Sequence, residues 1–307
     1  MDITVKAGTA YILLWIKFIT IYWNLKPFYK GPIHILESYM IIGASSFAGP
    51  LPELESEVES IELYIPKLEV YEGTKLIRSR ICKLKDTLSS YDLSTSIHAP
   101  YFSDAPNYPH ELIVDTARLT DKTRRLLKES IGIAEGLGSG IVVIHPGRIT
   151  GVRERCFESM ISGLSRLSKF AEEANVTLGL ENKEGTDQKN LCISACDLIK
   201  AIEEIGSPNL RATFDIGHAN LTCEGNQDKL REYAKELKNH IAHIHIHDNP
   251  GFLTEKFWGD LHGAPGTGVI DFSILKDLRF KGVHNLEVFS LEDVRAGKKM
   301  LLGLSDE

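Results

Sequence analysis

From position 40 onward, short apolar runs alternate with longer stretches whose apolar residues recur every three or four positions. The short runs are 41–45 (IIGAS), 61–65 (IELYI), 94–98 (STSIH), 141–145 (IVVIH), 176–181 (VTLGLE), 210–215 (LRATFD), 241–247 (IAHIHIH) and 283–288 (VHNLEV). Their length and their Val and Ile content predict strands. Between them, Leu126, Leu127, Ile131, Ala134 and Leu137 share one helical face, as do Phe157, Ile161, Leu164, Leu167 and Phe170. Such alternation predicts an α/β fold in which helices cover a parallel sheet. Eight units in roughly 260 residues match a (β/α)8 TIM barrel. A doubly wound sheet would place a Gly-rich phosphate loop after its first strand, and Gly43 to Gly49 lacks one.

Residues 1–39 do not follow this rhythm. Tyr11 to Trp23 is the most apolar stretch of the chain, with Lys17 in its middle. It is about five residues short of a membrane span, and no signal-peptide pattern accompanies it. The expected organisation is therefore an amino-terminal extension, 1–39, followed by a barrel domain, 40–307. The extension reads as an interfacial anchor, as an added element packed on the domain, or as upstream sequence ahead of a start at Met40. The strand that follows Met40 directly favours the last, and no membrane partner is expected.

Hydrophobic residues make up 43% of the chain and charged residues 25%, which excludes disordered and fibrous classes. Five cysteines without framework spacing point to a reducing cytoplasm. Cys192 and Cys196 stand four apart in a predicted helix and read as half-buried thiols rather than ligands. A net charge of -7 argues against nucleic-acid binding by surface basicity alone.

The polar residues change the picture. In this barrel, chemistry sits at the carboxyl ends of the strands. The predicted strands end in His98, His145, Glu181 and Asp215, with His218 just beyond the last of these. The seventh carries His245, the loop after it Asp260 and His262, and the eighth ends near Glu287. A single histidine at a strand end is more often structural than a ligand. Six consecutive strands delivering imidazole and carboxylate to one rim form a joint pattern, and clustered buried carboxylates require cations. Imidazole with carboxylate and no thiolate suits zinc, manganese or iron(II). Three divalent ions against four carboxylates would leave about +2 at the rim, a place for a phosphate.

At these residues the chain resembles the xylose isomerase-like barrel superfamily, and within it the endonuclease IV (AP endonuclease family 2) branch. The resemblance spans about residues 41–303 and rests on the ordered set HAPY, HPG, LEN, D-x-x-H, H-x-x-D, D-x-H and a final Glu. It implies up to three Zn2+ ions. His98 and His145 would hold the first, with Glu181 bridging to a second that Asp215, His245 and Glu287 complete. His218, Asp260 and His262 would hold the third. Tyr101 and Phe102 would contact substrate by wedging into a distorted duplex, or simply pack at the rim. The chain departs from the branch at Asn182-Lys183-Glu184-Gly185, at Asp215-Ile216-Gly217-His218 and at His245-Ile246-His247-Asp248-Asn249. The stretch from His247 to Phe272 looks more like the sugar-phosphate isomerases and epimerases. The segment after the second strand (PKLEVYEG) lacks the basic residues expected of a DNA-contacting loop.

Two chemistries follow. In the first, which the surplus of ligands favours, a trinuclear metal centre hydrolyses the phosphodiester of abasic-site DNA. In the alternative, one ion, Mn2+ or another divalent metal, sits on Glu181, Asp215, His245 and Glu287. Glu181 and Glu287 then shuttle a proton on a small sugar or sugar phosphate, and His218 touches the substrate. A non-catalytic metal-binding relative is the third class.

Overall fold

The computed structural model describes residues 40–101 and 114–305. The extension at 1–39 and Phe102 lie outside the described residues. Eight parallel strands close into a barrel: β1 (Ile41–Ser45), β2 (Ser60–Tyr64), β5 (Ser94–His98), β6 (Ile141–Ile144), β7 (Thr177–Glu181), β8 (Leu210–Asp215), β9 (Ile241–Ile246) and β10 (Val283–Leu286). The sheet runs β1-β10-β9-β8-β7-β6-β5-β2 and returns to β1. A small antiparallel hairpin, β3 (Tyr71–Glu72) and β4 (Lys75–Leu76), lies outside it. The helices are α1 (Leu51–Glu55), α2 (Arg78–Leu88), α3 (Asp121–Leu137), α4 (Arg153–Glu173), α5 (Ala195–Ile205), α6 (Ile216–Thr222), α7 (Gln227–Leu237), α8 (Ile274–Leu278) and α9 (Leu291–Ser305). Among the described residues, no helix is long and apolar enough to cross a membrane.

Alternation along the strands sets the layers, because successive side chains point to opposite faces. Ile42, Ala44, Ile61, Leu63, Ile97, Val142, Leu178, Leu180, Ala212, Phe214, Ile244, Ile246 and Leu286 are buried in the apolar core. The intervening positions are largely small or polar: Gly43, Ser45, Glu62, Ser96, Gly179, Thr213, His243 and Asn285. This interior differs from the branched aliphatic filling usual for the fold. Continued to the strand ends, the same parity delivers His98, His145, Glu181, Asp215, His245, His247 and Glu287.

Local chemistry sets the helix boundaries. Thr120 and Thr123 form a reciprocal cap on α3, and Gly138 ends it at φ 81°. Ser194 caps α5 by accepting from the Asp197 N–H. Cys192 therefore precedes α5 instead of sharing it with Cys196. Cys192 is buried and Cys196 exposed, so the two thiols are not a half-buried pair on one helix.

Candidate active site

Asp215 ends β8 and also caps α6. Its Oδ1 accepts from the His218 N–H at 2.7 Å, which sets His218 on the first turn of that helix. The Asn182 side chain pins the same point, donating to the Asp215 carbonyl and accepting from the Asp215 N–H, both at 2.8 Å. His247 Nε2 also lies 3.1 Å from Asp215 Oδ1. Gly217 makes room for that ring, since a Cβ there would come within 2.0 Å of it. With Oδ1 so engaged, Oδ2 is left without a hydrogen-bond partner.

Glu181 Oε2, His245 Nδ1 and Glu287 Oε2 share that condition, as do Asp260 Oδ1, His247 Nδ1 and Glu184 Oε2 close by. His245 Nδ1 lies 3.1 Å from Glu287 Oε2 and 3.8 Å from both Glu181 Oε2 and Asp215 Oδ2. Glu181, Asp215, His245 and Glu287 are all buried, and their ligand atoms lie within 4.8 Å of one another. Each buried polar atom without a partner costs about 1–3 kcal/mol. Four aimed at one point are consistent with a divalent cation coordinated by them. On this test the residues fit the metal.

His98 and His145 approach the same carboxylate. His145 Nε2 lies 2.9 Å and His98 Nε2 3.6 Å from Glu181 Oε2. The His98 Nδ1–H donates to the Ala99 carbonyl at 2.8 Å, which leaves Nε2 facing Glu181. Tyr101 is buried, and its ring centroid lies 3.8 Å from that of His145. The ring thus packs against a predicted metal ligand.

The outer group is His218, His247, Asp260 and His262. Asp260 Oδ2 lies 3.1 Å from His218 Nε2 and 3.3 Å from His262 Nε2. Buried Asp248 organises the loop that carries Asp260 and His262, accepting from the backbone N–H groups of Asn249, Gly266 and Gly268 at 2.9 Å each. A Cβ at Gly268 would come within 2.3 Å of Asp248. Two neighbours of this group were not among the predicted ligands. Lys183 is buried, with Nζ 3.1 Å from both His218 Nε2 and Glu184 Oε2.

All nine predicted ligands therefore lie at one mouth of the barrel, in three adjoining groups that share Glu181 or contact Asp215. Sequence reasoning missed His247, Lys183, Glu184 and, deeper in the barrel, Glu62 and His243. Burial alone would raise the carboxyls of Glu62, Glu181, Asp215, Asp260 and Glu287, yet the imidazoles beside them hold all five below the usual range. Burial pulls His145 down to about 4. It would lower His262 too, but Asp260 and Glu287 raise that group to about 9. Lys183 would also be lowered by burial, but Glu184 and Glu181 hold its ammonium well above the ordinary lysine value.

Known proteins share this frame. An uncharacterized protein of Methanocaldococcus jannaschii is 31% identical over 277 residues, covering 85% of this chain and 88% of its own. The crystal structure of a D-tagatose 3-epimerase-like protein superposes with a TM-score of 0.71 at 26% identity, covering 87% of this chain and 97% of that one. The D-psicose 3-epimerase of Enterocloster bolteae is 25% identical over 159 residues, 48% of this chain and 47% of its own. The two epimerase neighbours favour the isomerase and epimerase alternative over the abasic-site endonuclease. The family model for xylose isomerase-like TIM barrels matches residues 54–303, and the chain belongs to that family.

Proposed function

We propose that this protein is a divalent-metal-dependent sugar isomerase or epimerase whose proton-transfer groups are Glu181 and Glu287. The observation that carries the reading is the cage of four buried ligand atoms on Glu181, Asp215, His245 and Glu287, all within 4.8 Å of one another. When bound there, a divalent ion would polarise the sugar carbonyl and acidify the carbon beside it. One group, as the carboxylate, removes the proton from that carbon, and the other, entering as the carboxylic acid, gives its proton to the opposite face, which inverts the centre and exchanges the protonation states of the two. The His262 Nδ1–H donates to the Glu287 carbonyl at 2.7 Å and holds that residue at the mouth. His218 Nδ1, 3.1 Å from Glu181 Oε1, steadies the other acid.

Two features weigh against a three-ion phosphodiesterase. The His218 Nδ1–H donates to the Asn182 carbonyl at 2.8 Å, so only Nε2 is left for an ion. The Lys183 ammonium, 3.1 Å away, competes for that same lone pair and brings a like charge. With a single divalent ion in the cage, the carboxylates of Glu181, Glu184, Asp215, Asp260 and Glu287 still outweigh that ion and Lys183 together. A neutral sugar suits this mouth better than a polyanion. Phe47 and the exposed Phe289, with ring centroids 5.4 Å apart, add an apolar wall beside His262 for the C–H face of a sugar.

The deciding experiment is solvent exchange. Protein stripped with chelator and restored with Mn2+ is incubated with a panel of free ketoses in D2O. Deuterium should enter at the carbon beside the carbonyl in at least one of them. The outer group and the His98–His145 pair keep a second reading in view, cleavage at abasic sites. Nicking of an abasic duplex by zinc-loaded protein, with no deuterium uptake in any sugar, would replace the first reading by the second.

A further inference from the structure

Beneath the cage, Glu62 reaches inward from β2, and its carboxylate meets β9. These two strands are not neighbours: β1 and β10 stand between them in the sheet. The contact therefore crosses the barrel interior. Glu62 Oε2 accepts from His243 Nε2–H and from His245 Nε2–H, each at 3.0 Å. Its Oε1 takes the Asn285 amide at 3.3 Å and the Ser45 hydroxyl at 3.4 Å, and the Ser96 hydroxyl reaches Oε2 at 3.5 Å. Glu62, His243 and His245 are buried to within 1%. Five donors from four strands surround one carboxylate, which accounts for Ser45, Ser96, His243 and Asn285 inside the barrel.

We propose that Glu62 is a positioning residue for the metal cage, fixing His245 with its proton on Nε2 so that the Nδ1 lone pair faces Glu181, Asp215 and Glu287. A neutral imidazole carries one N–H, and the nitrogen that donates determines which one is left to ligate. A carboxylate behind a ligating histidine also strengthens it as a donor to metal. His243 stands two residues earlier on the same face of β9 and hydrogen-bonds the same oxygen, which keeps the carboxylate from swinging away. The three groups lie close enough to suggest an ion of their own. Unlike the cage atoms, though, the facing nitrogens and oxygens here are already joined by aligned hydrogen bonds. This inference rests on the cage being a divalent-metal site and is independent of which substrate is turned over.

The test is Co2+ binding to metal-free protein, read from its visible absorption and by chelator competition, in wild type and in Glu62→Gln. The variant, shown to be folded by circular dichroism, should bind about 10–100-fold more weakly with a shifted absorption band. Affinity within twofold of wild type overturns the proposal while leaving the metal site standing. Wild-type protein that takes up no Co2+ overturns both together. Should Glu62→Gln not fold, nitrogen–proton correlation spectra of the metal-loaded wild type decide the matter. His243 binds no ion in this scheme, so its tautomer reports Glu62 alone. A slowly exchanging Nε2–H on His243 and on His245 supports the proposal, and a His243 that carries its proton on Nδ1 sinks it.

Discussion

Two groups of ligand-type residues lie side by side at the mouth of this barrel, joined where His247 touches Asp215. The inner group, Glu181, Asp215, His245 and Glu287, rises from the ends of four successive barrel strands. Its four facing atoms have no hydrogen-bond partner. The outer group, His218, His247, Asp260 and His262, comes from a helix turn, a strand end and a long loop. There His218 already contacts Asn182, Asp260 and Lys183. Residue types alone do not separate the two, since both are imidazole and carboxylate. Unmet bonding capacity does not separate them either, since Asp260 Oδ1 and His247 Nδ1 also lack partners; the difference is Lys183, whose ammonium stands 3.1 Å from the central histidine of the outer group. A cation already beside that histidine opposes the binding of an ion there.

The strongest way to break this comparison is to remove one arm of the inner group. Glu287→Gln keeps the shape and loses the acid–base function, so deuterium uptake should fall by about 10²–10⁴-fold. A fall below tenfold would remove Glu287 from the proton-transfer role. Metal dependence of stability comes next. An ion at 100 times its dissociation constant adds about 2.7 kcal/mol, and in a chain of this size that moves the thermal midpoint by roughly 4–5 °C. His245→Ala should erase this difference between Mn2+-loaded and chelated protein, whereas His262→Ala should keep it. The reverse pattern would exchange the roles of the two groups. Lys183→Met should then raise the number of ions bound per chain by one, as measured by elemental analysis, because the lone pair of His218 Nε2 is released. An unchanged count would show that Lys183 is not what closes the outer group.

Much of this was legible in the sequence. The outward-facing residues of the strands are mostly apolar, Thr95 and His284 being exceptions, and they marked all eight barrel strands with ends differing by no more than two residues. The run at 61–65 begins at Ser60, and the one at 283–288 closes at Leu286 because Glu287 already turns into the mouth. The nine ligand types were visible because they stand at strand ends or just after them, where this fold places its chemistry. Glu62 and His243 were passed over because they sit within strands. Their signal was parity: Glu62 is a carboxylate inside an otherwise apolar run, and His243 precedes His245 by two. Lys183 appeared only as a departure from a motif, and its weight became clear once its ammonium was seen beside His218. The hairpin of β3 and β4 has two residues per strand, too few to leave a pattern. The choice between DNA and sugar was not legible, since both chemistries draw on the same ligands.

The smallest expected effect is the most discriminating. His262 holds a positive φ of 48°, a conformation that asparagine adopts more readily than most residues. What the inner group asks of His262 is the N–H that reaches the Glu287 carbonyl, and an asparagine amide can supply a donor there. In the one-ion reading, His262→Asn therefore keeps Glu287 in place, and deuterium uptake should change by less than about fivefold, the loss of one ordinary hydrogen bond. In a three-ion hydrolase the same substitution removes a ligand, and both the third ion and the nicking of an abasic duplex should disappear. Bound ions counted alongside the two activities, in wild type and in this single variant, thus separate a residue that supports a loop from one that holds a metal. A loss of uptake beyond a hundredfold would mean that the outer group serves the reaction directly, and that the contrast between the two groups has been drawn in the wrong place.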